Sequence, residues 1–380
     1  MGLGSLMSSP LIALSLDAIG ETAWNRLLPA DATPFLSFAF LKALEDSGCV
    51  STATGWTPQH LAVRNTEGEI THLAPAYIKH HSYGEYVFDW QWARAYEQYR
   101  VPYYPKLLLA IPFTPVPGPR ILGDVTSFPW ATLSDYCQQH GLSGWHLNYP
   151  THLSAPLSAS VPDAHPRLGT QFQWHNDGYT DFTDFVGRFA SRKRKNVLKE
   201  RRRVQEQGIS LERTTAISED QMAFFFECYR DTYLKRGSTP YLSLSFFQTL
   251  RECMTDQLMM VIATDPQGPC AAALCFYDDT TLYGRYWGCL RDYDALHFEA
   301  CYYQGIEFCI ERSLSVFNPG TQGEHKIARG FGPVATHSLH WLAHPDFHQA
   351  IGRFCDEEAE HVRMYMDDAR SLLPFKASSD

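Results

Sequence analysis

No apolar run in the chain approaches the ~20 residues that a helix needs to cross a bilayer, which excludes a membrane span. No lysine or arginine precedes Arg26, so no secretory signal is expected at this end, and Leu6 stands where a myristoylation signal needs Ser or Thr. Ten cysteines include no C-x-x-C pair, and Cys270, Cys275 and Cys309 sit in apolar contexts that suit buried thiols in a reducing cytoplasm. A G-x-S-x-G elbow, an H-E-x-x-H helix and a phosphate-binding G-x-x-x-x-G-K-[ST] loop are all missing. His80-His81 and Glu324-His325 are too isolated to form a metal site, so no metal is expected. What remains is an ordinary globular composition, 44% hydrophobic and 19% charged, in 380 residues, a length that suits two domains.

The net charge of −10 is unevenly spread. Residues 188–213 carry ten Lys/Arg against three Glu, which makes this stretch +7 and leaves −17 for the rest. Such runs usually form a solvated helix face. Here too few glutamates are present for i,i+4 pairing. Arg192, Lys193, Arg194 and Lys195, spanning one helical turn, are therefore expected to contact phosphate on a donor or acceptor substrate.

The chain also repeats itself at a period of about 200 residues. PFLSFAFLKAL (34–44) matches PYLSLSFFQTL (240–250), with Ser37 and Ser243 placed to N-cap a helix in each copy. Two strand-like runs follow, 60–63 and 70–78 in the first copy, 258–264 and 270–277 in the second. Then Tyr83-Gly84-Glu85-Tyr86 parallels Tyr283-Gly284-Arg285-Tyr286, and Tyr103-Tyr104 parallels Tyr302-Tyr303. A helix with Phe298, Cys301, Gly305, Phe308 and Arg312 on one face closes the second copy's unit. The pattern predicts an α/β (α+β) fold of two tandem domains, each a mixed, mostly antiparallel sheet flanked by helices. The first covers 10–150. A Pro-, Ser- and Ala-rich linker with a connecting strand covers 151–178, and the second domain covers 179–380. A long helix from Phe182 through the basic run and a last helix from Asp346 to Leu373 belong to the latter.

Within it, TQGEHKIARGFGP (321–333) sets Glu324, His325 and Lys326 side by side in a glycine-punctuated loop. A base, a proton shuttle and a fixed cation are available in three positions, with Arg329 one turn on. The corresponding place in the first copy is expected to be the proline-rich PFTPVPGPR (112–120), which lacks that chemistry. Arg285, Tyr286 and Trp287, Tyr302 and Tyr303, and Asp89 and Trp90 of the first copy are expected to line a substrate cleft, although alternating aromatics on a strand are more often core.

SRKRKNVLKERRR (191–203), YGEYVFDW (83–90), YGRYWGC (283–289), FEACYYQGIEF (298–308) and QGEHKIARGF (322–331) resemble the FemAB-like peptidoglycan biosynthesis/recognition family. These are N-acyltransferases with tandem GNAT-like (acyl-CoA N-acyltransferase-like) domains. The resemblance runs from about residue 34 to the final helix. It implies transfer of an activated acyl or aminoacyl group to an amine, on a cell-wall precursor, in the cytoplasm. No cofactor is certain. Acyl-CoA and aminoacyl-tRNA are the candidate donors, the latter bringing tRNA as a partner. After Gly288 the sequence lacks the Q/R-x-x-G-x-G/A loop with which acetyltransferases hold the CoA pyrophosphate, and this favours the aminoacyl donor. The other reading is a non-catalytic binder of a phosphate-bearing precursor or RNA through the basic helix. Which of Glu324, His325 and Lys326 is the base stays open at this point.

Overall fold

The computed structural model describes residues 11–151, 161, 163–321 and 323–376. The linker stretch at 152–160 and Gln322 of the loop lie outside the described residues. The chain divides into two compact units, one holding the chain up to Gly169 with Thr336–Val362, the other Thr170–Ala335 with the remainder from Arg363. The sequence boundaries gave all of 179–380 to the second domain. The difference arises because two eleven-residue strands, His165–His175 and Gly332–Leu342, each start in one unit and end in the other.

In the first unit a small antiparallel sheet joins β1 (Ile12–Leu14), β3 (His60–Arg64) and β4 (Ile70–Ala74). Pro75 cannot donate to a ladder, and it separates β4 from β5 (Ala76–Lys79) where the sequence suggested one strand. β2 (Trp56–Pro58) pairs antiparallel with β5, and β5 with β6 (Lys106–Leu109). β6 runs parallel to β7 (Gly144–Asn148), which pairs antiparallel with Ser338–Leu342. Leu107, Leu109, Trp145, Leu147 and Leu339 are buried at this centre.

The second unit repeats the scheme. β9 (Ser210–Thr214), β10 (Leu258–Asp265), β11 (Gly268–Tyr277) and β12 (Thr281–Cys289) form an antiparallel meander. β12 then runs parallel to β13 (Val316–Asn318), which pairs antiparallel with the end of β8 (His165–His175). In each unit a helix makes the crossover between the parallel strands, Ala131–Gln139 in the first and Gln304–Arg312 in the second. The duplication is therefore real at the level of topology. Ser37 and Ser243 do cap their helices, each accepting from the amide three residues on, Phe40 and Phe246.

This topology corrects the register of the repeat. The counterpart of β12 is β6, whereas Tyr83–Tyr86 lies in a loop. Tyr103-Tyr104 precedes β6, while Tyr302-Tyr303 lies in a π-helical turn, Glu299–Tyr303. The proline loop 112–120 follows β6 and so corresponds to the segment after β12, not to the Glu324 loop after β13. The long basic helix is two helices, Phe182–Gly187 and Ser191–Glu206, broken where Phe189 bridges Phe375. Among the described residues no helix is long and apolar enough to cross a membrane.

Candidate active site

β12 and β13 pair as far as Tyr283 and Asn318, where β13 ends, and β12 continues to Cys289 paired with β11 alone. The two strands of the parallel pair part at this end. Two features border the place where they part. A β-bulge places Arg285 as an extra residue, with Leu274 opposite Tyr286 and Cys275 opposite Gly284. Gly305 of the crossover helix lies so close to Phe317 that a Cβ there would sit 2.4 Å from the ring. After β13 the chain reaches Gly323, the N-cap of a short 3-10 helix, Glu324–Arg329.

Lys326 is buried at 1% exposure, and its ammonium donates to the Gly320 carbonyl at 2.6 Å. Burial holds its pKa down at about 7; Arg285 adds to the depression and Cys301 opposes it. No carboxylate pairs with it among the described residues, so two of its three donors have no protein partner.

His325 is exposed, and its Nε2 lies 2.8 Å from the Tyr302 hydroxyl. Burial, Arg329 and Lys326 hold its pKa below the ordinary value, keeping the ring neutral at neutral pH. Behind it His297 is pushed down to about 4 by burial, with His325 and Lys326 adding. In the tautomer that donates Nε2–H to the Tyr302 hydroxyl, Nδ1 of His325 keeps its lone pair for an incoming proton.

Arg329, a candidate substrate contact from its place in the charged loop, is engaged by the protein itself. Its guanidinium donates to the His325 carbonyl and to Glu200, both at 2.6 Å, and lies 3.4 Å over the Phe298 ring. Tyr303 is also corrected: fully buried, it donates to Glu200. Tyr286 packs on Tyr229 and Phe247, and Trp287 is edge-on to His297. Glu324 is exposed and accepts from Tyr365 at 2.9 Å, turned to the C-terminal helix.

The basic helix splits into two roles. Arg201 is neutralised by Glu299 and Glu307, and Arg203 by Asp294. Arg192 and Lys195 are exposed, Lys193 and Arg194 half-buried, and none of the four forms an ion pair among the described residues. Lys193 sits seven residues before Glu200, on the same helix face and ~10 Å along the axis from the group that anchors Arg329. Glu200, His297 and Gly320 were not singled out from sequence. Glu200 offered a signal, being the one acid in residues 191–202.

Asp89 and Trp90 belong to the first unit. Asp89 does not line a cleft: it is 2% exposed and accepts from Lys106 and, at 2.6 Å, from the Tyr103 hydroxyl.

A family model described as FemAB-like, peptidoglycan biosynthesis/recognition, matches residues 15–377. Comparison with curated proteins gave no match. Among solved structures, FemX aligns over 90% of this chain and 99% of its own at 11% identity and a TM-score of 0.51. A conserved protein of unknown function from Bacteroides thetaiotaomicron aligns over 88% and 99% at 10% identity and a TM-score of 0.53. At such identities the likeness concerns the fold.

Proposed function

The chain belongs to the FemAB-like family of peptidoglycan biosynthesis and recognition proteins, and on that premise we propose that it transfers an activated acyl or aminoacyl group to an amine on a cell-wall precursor at the split between β12 and β13. The observation that carries this reading is Lys326: a buried ammonium with one carbonyl partner, at the open end of a parallel strand pair. Burying such a group without a counter-charge is costly unless a ligand completes it.

In the proposed reaction the neutral amine attacks the acyl carbonyl and forms the C–N bond. The proton it loses goes to Nδ1 of His325. Lys326 donates to the oxyanion of the tetrahedral intermediate, in a site dry enough to strengthen that contact. The C–O or C–S bond to the carrier then breaks, and the leaving group takes the proton back from His325. Arg329 and Tyr302 orient the imidazole. Arg192 to Lys195 supply cations for the phosphate of the donor or acceptor. The missing CoA loop favours an aminoacyl-tRNA donor over acyl-CoA.

The test is transfer of label from aminoacyl-tRNA or acyl-CoA to a peptidoglycan precursor peptide, with kcat/KM followed against pH. Lys326 as charged donor predicts a fall as pH rises through about 7, absent in Lys326→Arg. A rise through that pH, lost in Lys326→Met, would make Lys326 the base and overturn the assignment. Tight, salt-sensitive binding without turnover would instead establish a binder.

A further inference from the structure

A cavity of about 220 Å³ opens in the second unit, apart from the split between β12 and β13. Arg213, Thr214 and Thr215, at the end of β9, form one wall, with Met259 of β10 behind them. Phe308, Glu311 and Arg312 form the other, positions i, i+3 and i+4 on one face of the crossover helix Gln304–Arg312. Arg312 ends the stripe that the sequence pattern marks on this helix, and the transfer reaction leaves it unused. Gly305, at the split, lies seven residues earlier, ~10 Å along the helix axis. β9 is three strands away from β12, the last strand of the sheet.

Part of the wall is engaged by the protein itself. The Arg213 guanidinium donates to Glu311 Oε1 at 2.6 Å and to the Gln304 carbonyl at 3.3 Å, an ion pair that ties the sheet edge to the helix. Thr214 Oγ1 donates to the Ala216 carbonyl and accepts from the Ala216 amide. Three groups are left over. Glu311 Oε2, the Thr215 hydroxyl and the Arg312 guanidinium have no hydrogen-bond or ion-pair partner among the described residues. Arg312 is not a loose surface cation either. It lies 5.4 Å from the centroid of the Phe308 ring and 6.0 Å from that of Tyr277, and this stacking holds it at the cavity wall. A guanidinium, a carboxylate oxygen and a hydroxyl thus border one small space with hydrogen-bonding capacity unspent.

We infer that this cavity binds a small zwitterion, a free α-amino acid with a short polar side chain. The charges select for it. A simple anion drawn to Arg312 meets the Glu311 carboxylate, and a simple cation drawn to Glu311 meets two guanidiniums. A molecule with an ammonium and a carboxylate on one carbon satisfies both walls. Its ammonium donates to Glu311 Oε2, its carboxylate accepts from Arg312, and the Thr215 hydroxyl is a further partner. The volume is below the ~300–1,000 Å³ of ordinary ligand pockets, too small for a nucleotide. The threonines on the strand side suit a polar side chain better than an apolar one. The binding rests on none of the transfer chemistry and stands or falls separately from it.

Isothermal titration of the full chain with L-serine tests it. Saturable binding is expected, weakened about tenfold or more by Arg312→Gln and by Glu311→Gln, and unaltered by Lys326→Met. N-acetyl-L-serine, which lacks the ammonium, and L-serinamide, which lacks the carboxylate, should each bind about tenfold or more weakly than L-serine. Both helix positions are exposed, so the variants are expected to fold. Should Glu311→Gln unfold by releasing Arg213, Arg312→Gln and the two analogues carry the test. No heat at millimolar L-serine, equal binding of N-acetyl-L-serine or of inorganic phosphate, indifference to the helix variants, or loss of binding in Lys326→Met overturns the inference.

Discussion

Replacing Lys326 by Met should make the protein more stable while abolishing transfer. Methionine matches the lysine stem in length and suits its buried surroundings. The folded-state pKa of about 7 lies below the 10.5 of a free lysine, so the unfolded chain holds the proton more tightly. The resulting penalty is fully present below about 7 and fades as pH rises towards 10.5. At ~1.4 kcal/mol per pH unit it is on the order of 4–5 kcal/mol at pH 6 and roughly 2 kcal/mol at pH 9. Losing the bond to the Gly320 carbonyl returns about 1 kcal/mol. Lys326→Met is thus expected to gain about 3–4 kcal/mol at pH 6 and about 1 kcal/mol at pH 9. Urea unfolding followed by tryptophan fluorescence at the two pH values reads the difference as a shift of midpoint at constant slope. A variant destabilised at pH 6, or a gap that does not shrink with pH, would refute the description of Lys326 as a strained, functional cation.

Removing the proposed base by His325→Asn should lower kcat/KM by roughly 10²–10⁴ with little change in melting temperature, and full activity would exclude His325. Gly323 has φ +110° and a Cβ there would lie 2.1 Å from the His325 ring. Gly323→Ala should therefore cost about 1–3 kcal/mol and reduce turnover through the displaced imidazole, as unfolding and kinetic assays would reveal. Lys106→Met leaves Glu85 and Asp89 buried without their counter-ion, an expected loss of ~3–5 kcal/mol in thermal unfolding at pH 8. Glu85, already pushed up to about 7 by burial, takes a proton as pH falls, so the loss should be smaller at pH 5. Arg192→Ala with Arg194→Ala should weaken a phosphate-bearing ligand equally for every peptide attached and flatten the salt dependence of its affinity; an unchanged salt slope would remove the helix from the binding site.

Local chemistry was legible where one residue decides the outcome. Two serines before apolar periodic stretches became two helix caps, and the charged loop became the buried Lys326 with His325 beside it. Pairing was not legible. Tyr83-Gly84-Glu85-Tyr86 and Tyr283-Gly284-Arg285-Tyr286 look alike, yet one is a loop held by Lys106 and the other a bulged strand, because strand identity depends on partners far away in sequence. The buried charges of the first unit were invisible for the same reason. Lys79 ends the strand AYIK and Lys106 begins the strand KLLL, at strand ends where solvent is expected, and their burial depends on a loop that folds back over them. Arg201 and Arg203 belong to a run that looked short of acidic partners, whereas Glu299, Glu307 and Asp294, about a hundred residues on, neutralise them.

The corrected repeat gives a reason for placing the proposed chemistry in one half. Each unit has a parallel pair ending in a buried asparagine, Asn148 and Asn318. Beyond Asn148 the first unit is closed. Gly118 bridges Pro150, its amide donating to the Tyr149 carbonyl, and the buried Arg120 donates to the carbonyls of Asn148, Pro119 and Val116. Each nitrogen of that guanidinium thus has a backbone carbonyl as partner. The prolines of 112–120 hold this loop in shape. Beyond Asn318 the second unit has Pro319, Gly320 and a lysine that reaches one carbonyl. The two copies thus end the same strand pair with a cation each, one held by three backbone carbonyls and one by a single carbonyl. Arg120→Ala in the first unit should then cost stability and leave transfer intact, whereas Lys326→Met should do the reverse, and only a pair of opposite outcomes is compatible with this division of labour.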